Sequence, residues 1–296
     1  MTDRPPVCDY EGSHYQQTFW DTGERSYEDR SEAHALRAML PRQGKLLLEL
    51  GAGAGRNTPR YHGFERIVLL DYSRTQLEQA QARLGASQRY IYVAADAYAL
   101  PFVPGLFDAA TMIRVIHHMA DAPAALRQVR AVLQPEGVFI LEFANKQNLK
   151  AILRWLLRRQ AWNPFDPAPL EFATLNFDFN PGAMLRWLHV CALEPEQVRA
   201  LSYFRLGLLK RALPTGLLVA LDTLLQPTGQ LARLSPSIFV RARARGQSPL
   251  AGPGQFFRCP VCGGEQLNEN GGRLDCVQCG RRWPIRNGIY DFKQPE

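Results

Sequence analysis

Nowhere does this chain stay apolar long enough to cross a bilayer. Its most apolar stretch, residues 213–225, is broken by Pro214, Gly216 and Asp222, and it falls short of the roughly 20 residues a spanning helix needs. The opening residues 1–6 are charged and proline-bearing with no apolar run behind them, so the sequence predicts no secretory leader and a cytoplasmic setting. Cysteine is scarce until the C-terminus: before Cys259 there are only Cys8 and Cys191. A disulfide framework would spread its cysteines through a secreted chain, and that architecture is excluded. Internal repeats and low-complexity tracts are lacking too, which removes solenoids and compositionally biased scaffolds. What is left is an ordinary globular composition, 46% hydrophobic and 21% charged over 296 residues, enough for one large domain plus a small one.

The formal charge of +7 is unevenly placed. Residues 144–246 hold 14 Lys and Arg against 6 Asp and Glu, while the rest is close to neutral. Lys146, Lys150, Arg154 and Arg158 recur at every fourth position, along a basic amphipathic helix predicted over 147–160. Leu149, Ile152, Leu153, Leu156 and Leu157 form its apolar face. Such a helix suits an RNA backbone, an anionic membrane surface, or plain solvation on a helix packed against a sheet.

The order of elements is legible from short apolar runs. Residues 45–50 (KLLLEL) lead straight into glycines and read as a buried parallel strand entering a tight turn. Further strands are predicted over 66–70, 90–94, 107–113 and 137–143, with helices over 75–84, capped by Ser73, and over 123–133. A helix over 31–39 precedes them, and a helix over 183–191, a strand over 197–203, a helical stretch over 206–231 and a last strand over 237–244 follow. Strands alternating with helices imply a parallel sheet covered on both faces. The expected division is an N-terminal helical extension (1–44), a main α/β domain (45–245), a Pro- and Gly-rich linker (246–255) and a small module (256–296).

The turn after the first strand reads Glu49-Leu50-Gly51-Ala52-Gly53-Ala54-Gly55. Glycines there let the backbone turn sharply and approach a ligand closely. Asp71 ends the next strand, where a carboxylate can accept from both ribose hydroxyls. Asp96 ends the third, where it can meet an adenine amino group. The glycines alternate as G-x-G-x-G behind an acidic residue. Negative charge at that place repels a pyrophosphate and favours a cationic ligand.

Residues 45–143 resemble a class I S-adenosylmethionine-dependent methyltransferase, of the broad group that includes quinone-biosynthesis enzymes. The stretches LLLELGAGAGR, VLLDYS, AADAYALPF, FDAATMIRVIHHM and VLQPEGVFILEF carry the likeness, in the family's order. The resemblance implies a Rossmann-like, seven-stranded, mostly parallel sheet with helices on both faces. It implies a cofactor set of Glu49, Gly51, Ala52, Gly53, Gly55, Asp71, Tyr72, Asp96, Ala97 and Arg114. Glu49, Gly51 and Gly53 would border the methionine end, Asp71 the ribose, and Asp96 with Ala97 the adenine.

His117 and His118 follow the fourth strand, at the edge where substrate meets cofactor. They are candidate bases for a hydroxyl or enol acceptor, although the preferred reading is a structural turn whose imidazole caps the next helix. Aromatic residues Trp162, Phe165, Phe172, Phe177 and Phe179, with the apolar insert 206–225, are the expected cover over an acceptor cavity, or else ordinary core. Asn163-Pro164-Phe165 departs from the Asn-Pro-Pro-aromatic motif of amino-group methyltransferases in having one proline, and that role is not assigned.

Cys259 and Cys262, then thirteen residues, then Cys276 and Cys279 form two C-x-x-C pairs. Two such pairs can surround one Zn²⁺ tetrahedrally, and four protein ligands leave no open position, so the expected zinc is structural. A module this small buries little core and takes its stability from metal. With the ending RWPIRNGIYDF it resembles the small zinc-binding activator proteins that partner methyltransferases of tRNA, rRNA and translation factors. It departs from them at Asn287, where aspartate is common.

Three readings follow. A methyltransferase of a small planar or lipophilic acceptor predicts an enclosed apolar cavity. A methyltransferase of RNA or a translation protein predicts an open cleft continuous with the basic helix. A non-catalytic scaffold predicts cofactor binding without turnover, or none.

Overall fold

A computed structural model describes residues 5–247 and 249–296. Residues 1–4 of the expected N-terminal extension and Ser248 of the expected linker lie outside the described residues. In chain order the elements are α1 (Ser26–Met39), β1 (Gly44–Leu50), β2 (Phe64–Asp71), α2 (Arg74–Leu84), β3 (Tyr90–Ala94), β4 (Phe107–Met112), α3 (Ala122–Val132) and β5 (Leu133–Ala144). Then come α4 (Leu149–Leu156), β6 (Leu170–Ala173), β7 (Asn176–Asp178), α5 (Pro181–Val190), β8 (Leu193–Leu201), α6 (Gly207–Ala212), α7 (Thr215–Leu225) and β9 (Ser237–Ala244). The C-terminal part adds β10 (Leu267–Glu269), β11 (Arg273–Cys276), β12 (Arg282–Arg286) and β13 (Ile289–Asp291).

Helix starts follow local chemistry. Ser73, Asp121, Asn148 and Asn180 each accept a hydrogen bond from a backbone N–H in the first turn of α2, α3, α4 and α5, satisfying donors that the helix leaves without partners. β1, β2, β3, β4 and β5 run parallel, with β9 inserted antiparallel between β5 and β8. β1 lies centrally, so the turn leaving it opens at the crest of the sheet, flanked by the ends of β2 and β4. That is where parallel α/β sheets place their ligands.

The sheet corrects the expectation of seven strands. Seven describes β3 to β8, but the whole sheet has eleven, in the order β10-β11-β12-β13-β3-β2-β1-β4-β5-β9-β8. β13 pairs in parallel with β3, Ile289 opposite Tyr92, Tyr290 opposite Val93 and Asp291 opposite Ala94. An exposed strand edge invites pairing, and here the chain's own C-terminal part supplies the partner. β12 turns into β13 through Asn287 and Gly288, whose φ values of 52° and 75° suit a two-residue hairpin turn. Asparagine tolerates that backbone much as aspartate does.

The C-terminal part also shares the main core. One buried cluster runs from Leu48, Val68 and Leu70 through Phe102 and Phe107 to Leu274, Trp283 and Phe292. The connecting segment lies against residues 101–107: Val103 N–H donates to the Phe256 carbonyl at 3.1 Å and Arg258 N–H to the Pro101 carbonyl at 3.1 Å. Gly105 has φ 63°, and a side chain there would strike the Pro249 carbonyl.

The basic helix is shorter than expected. α4 spans only Leu149–Leu156. Asn145 accepts from the Gln147 N–H at 2.8 Å, which holds the chain in a turn before the Asn148 cap. Arg158, at φ 54°, ends the helical run. Lys146 is not part of an exposed stripe: it is buried, and its ammonium donates to the Ala168 carbonyl.

Candidate functional site

The turn from β1 is shaped by glycine. Gly51 and Gly53 have φ values of 66° and 53°, a region costly for other residues. A side chain on Gly51 would collide with Val115, whereas near Gly53 a Cβ would find only the Gln76 side chain at 3.8 Å, leaving space for a ligand. Gly55 does something else. It faces α2, where an added Cβ would sit 3.3 Å from Ala80 and 3.1 Å from Leu84, so it serves close helix packing and is not among the cavity-lining residues.

Beside this turn lies a cavity lined by Glu49, Gly51, Ala52, Gly53, Asp71, Tyr72, Asp96, Ala97, Arg114 and His118. The structure thus brings together every residue of the expected cofactor set except Gly55. The buried Glu49 carboxylate accepts from the Thr58 hydroxyl at 2.6 Å and the Tyr61 hydroxyl at 3.3 Å. Burial pushes its pKa up to about 7 despite those bonds. Asp71 accepts from the Gly53 N–H at 2.8 Å and the Ser73 N–H at 2.9 Å, and burial raises it to about 6. Removing a carboxylate from water disfavours its charge unless a cation or enough donors compensate. Neither group has an ion-pair partner among the described residues. Asp96 accepts from the Tyr98 N–H at 2.8 Å.

Arg114 has protein partners as well as a place on the cavity wall. Its guanidinium is ion-paired with the buried Glu32 of α1, and its N–H donates to Glu142 at 2.9 Å. Glu32 also pairs with Arg56 at 2.8 Å. Burial opposes ionisation of Glu32, yet the Arg114 and Arg56 guanidiniums outweigh it and hold the carboxyl below its ordinary range. Through Arg56 and Arg114, α1 is clamped to the segments following β1 and β4.

His118 lines the cavity but both its nitrogens have partners. Nδ1 lies 3.0 Å from the Leu175 carbonyl and Nε2 3.2 Å from the Tyr10 hydroxyl. Only a donor suits the carbonyl, so Nδ1 carries the proton and Nε2 accepts from Tyr10. His117 does not line the cavity. Its ring packs on His118 with centroids 4.1 Å apart, and burial holds its pKa well below the ordinary histidine value, so it is neutral at neutral pH.

The cover comes from a segment whose sequence pattern did not announce it. The cavity is lined on one side by Val7, Cys8, Tyr10, Tyr15, Gln16 and Trp20, a strap from the N-terminal extension. The expected cover over 162–180 contributes none of the lining: Phe179 is core, while Phe165 and Phe172 are exposed. The strap is anchored by Glu11, whose carboxylate accepts from the Arg74 and Thr75 N–H groups at 3.0 Å each and from the Lys293 ammonium at 3.0 Å. That places a negative charge on the start of α2, where the helix dipole favours it. Tyr10, Tyr15, Phe19 and Trp20 follow one another in ring contact at 4.8–5.4 Å between centroids, and the Arg56 guanidinium sits 3.7 Å over Trp20. Tyr15 and Phe19 are four apart, as on one face of a helix, but the single helical turn at Gln16–Trp20 is too short for periodicity to mark it.

At the other end of the sheet the four cysteine sulfurs lie within 4.8 Å of one another. Cys259 and Cys279 are 3.7 Å apart and Cys262 and Cys276 3.5 Å apart. A tetrahedron of metal–sulfur bonds near 2.3 Å has edges of about 3.8 Å. The two turns repeat each other: Gly263 N–H donates to the Cys259 carbonyl and Gly280 N–H to the Cys276 carbonyl, both at 2.9 Å, with Gly263 and Gly280 at φ 74° and 70°.

Residues 48–141 match the model of a methyltransferase domain. Over 133 residues the chain is 33% identical to a ubiquinone/menaquinone biosynthesis C-methyltransferase, UbiE, of Paracoccus denitrificans, covering 42% of this chain and 52% of that protein. Over 134 residues it is 29% identical to a 27-O-demethylrifamycin SV methyltransferase of Amycolatopsis mediterranei, covering 43% and 49%. The chain spans about half the length of the curated relatives it matches. Among solved structures, an S-adenosylmethionine-dependent methyltransferase from Mesorhizobium loti superposes with a TM-score of 0.53 at 22% identity, over 73% of this chain and 99% of that one. A chain from the complex of the Haloferax volcanii Trm112 methyltransferase activator with its candidate methyltransferase superposes with a TM-score of 0.55 at 15% identity, over 78% and 96%. The fold is therefore the Rossmann-like one of S-adenosylmethionine-dependent methyltransferases, and the stretch from β1 to β5 carries a methyltransferase-domain match.

Proposed function

We propose that this chain is an S-adenosylmethionine-dependent methyltransferase acting on a small planar or lipophilic acceptor, with a structural Zn²⁺ on Cys259, Cys262, Cys276 and Cys279. The observation that carries the reading is a pair of carboxylates, the buried Glu49 and the half-buried Asp71, beside a glycine turn with room at Gly53. A ligand with a cationic methionine end and a ribose fits both. Glu49 would face the positive end, and Asp71 would accept from ribose hydroxyls. Asp96, Ala97 and Tyr72 would surround the base.

S-adenosylmethionine, when bound, supplies an electrophilic methyl group. The chain's part is alignment and exclusion of water. The strap residues Tyr10, Tyr15 and Trp20 would shield the site from solvent. His118 is committed to Leu175 and Tyr10, so it is a positioning residue that latches the strap to the segment after β4. No proton transfer is assigned to it. The enclosing strap supports a small acceptor.

A macromolecular acceptor is the second reading, favoured by the four-cysteine module on β3 and by the activator in one structural neighbour's complex. Calorimetry with S-adenosylhomocysteine tests the cofactor site, and a non-catalytic scaffold would bind it without turnover. Labelled methyl transfer to hydroquinones and phenols, against bulk rRNA and tRNA, then decides the acceptor. The expected result is heat on titration and label in the organic fraction. Absence of heat would sink the proposal, and label in RNA would transfer it to the second reading.

Glu11→Ala should loosen the strap without unfolding the domain, because Glu11 is exposed. It removes a helix-start acceptor, a change worth about 1 kcal/mol. Amide exchange across residues 8–20 should quicken about fivefold, and S-adenosylhomocysteine affinity should fall by a similar factor. Unchanged exchange would show that Glu11 does not hold the strap.

A further inference from the structure

Two helices display leucines to solvent. On α4 the sole buried residue is Ala151, while Leu149, Leu153, Leu156 and the adjoining Leu157 are between 49% and 63% exposed. Their spacing is that of one helix stripe. On α7 the buried side is Leu218, Val219 and Asp222, facing Tyr27, and the opposite stripe of Leu217, Leu221 and Leu224 is between 38% and 76% exposed. The start of α4 is tied to residues 233–235, in the segment that leads from α7 to β9. The Leu149 N–H donates to the Leu234 carbonyl at 2.8 Å, and the Asn145 amide donates to the Arg233 and Ser235 carbonyls at 2.8 and 2.7 Å.

Charge says what covers this face. Lys150, Arg154, Arg158 and Arg159 are exposed and form no ion pair among the described residues. Residues 147–165 contain no Asp or Glu. Trp155 and Phe165 meet edge to face at 5.7 Å beside them. Leucines and aromatics with a cationic rim and no acidic residue match the interfacial zone of an anionic bilayer, where apolar side chains enter the acyl boundary and cations meet headgroups. No helix of the described residues is long and apolar enough to cross a membrane.

We infer that the exposed face of α4 docks the protein peripherally on an anionic lipid surface. The inference stands apart from the methyltransferase reading, because its test reads vesicle binding and not turnover. A docked protein would meet lipophilic molecules where they concentrate.

The test is co-sedimentation with phosphatidylcholine vesicles, with and without phosphatidylglycerol, over a salt series. Wild type should bind the phosphatidylglycerol vesicles, and salt should weaken that binding. The pair Lys150→Gln and Arg154→Gln should bind about thirtyfold more weakly, from about fivefold per cation. The pair Leu153→Gln and Leu156→Gln should lose binding at every salt concentration. Both pairs are exposed, and unchanged thermal melting checks that the fold is kept. Three results would overturn the inference: no sedimentation of wild type, sedimentation indifferent to the leucine pair, or self-association that the leucine pair abolishes in a protein that ignores vesicles. RNA binding that depends on the cations and ignores the leucines would likewise replace it.

Discussion

Serine in place of Cys276 is expected to unsettle far more than the turn that holds it. A thiolate lost from a four-sulfur site leaves three ligands, and small modules of this kind draw most of their folding free energy from the metal, about 10–16 kcal/mol in apparent terms. β11 ends at Cys276, so the damage begins inside a strand. It should spread through Trp283 and Phe292, which stand 5.4 Å apart, to Phe257 and Phe102, and free β13 from β3. The purified chain should carry one zinc, released by the variant and measured by a chromogenic chelator. The first thermal transition should fall by about 10 °C, as expected for several kcal/mol lost. Amide exchange in Tyr90–Ala94 should rise in parallel. A wild-type chain without zinc, or a variant with native exchange in β3, would refute the account.

Asp71→Ala should weaken S-adenosylhomocysteine binding about a hundredfold, because two hydrogen bonds to a charged acceptor are worth about 1.5–3 kcal/mol each, part of which water restores. The pH dependence separates this from simple damage. Burial lifts Asp71 to about 6 and Glu49 to about 7, above their ordinary values. A folded-state value raised above the unfolded one means that these two carboxyls stabilise the unliganded protein most at low pH, below their unfolded values. That contribution is lost as pH climbs through 6 and 7. A cationic ligand acts oppositely, binding best once the carboxylates are ionised. The rise in melting temperature given by S-adenosylmethionine should therefore be larger at pH 8 than at pH 5.5. In the Asp71→Ala variant the inflection near 6 should vanish and the one near 7, from Glu49, should remain. A ligand-induced shift that does not change with pH would count against both carboxylates.

Much of the main domain was readable because its signals are local. Ser73 as a cap, the strands at Tyr90–Ala94 and Ser237–Ala244, and the turn after Glu49 each depend on neighbours in sequence. What escaped depends on distant partners. Nothing near Arg114 betrays that Glu32 would claim its guanidinium, and nothing near Tyr10 points to His118. The pairing of β13 with β3 could not be read from either strand, because parallel neighbours share no turn. α4 misled for another reason: its leucines do form one face, and periodicity does not say whether that face meets the sheet or the solvent. The cysteine quartet was the clearest distant feature, since metal chemistry imposes its own spacing.

The strand bound to β3 is made long after β3 itself, because Ile289 follows Ala94 by 195 residues. Domains generally settle from the N-terminal side as they leave the ribosome. The nascent sheet must therefore wait with one border unzipped until β13 has left the ribosome. A premature stop before β13 would leave that border bare and sticky, a ready mark for quality-control proteases and chaperones.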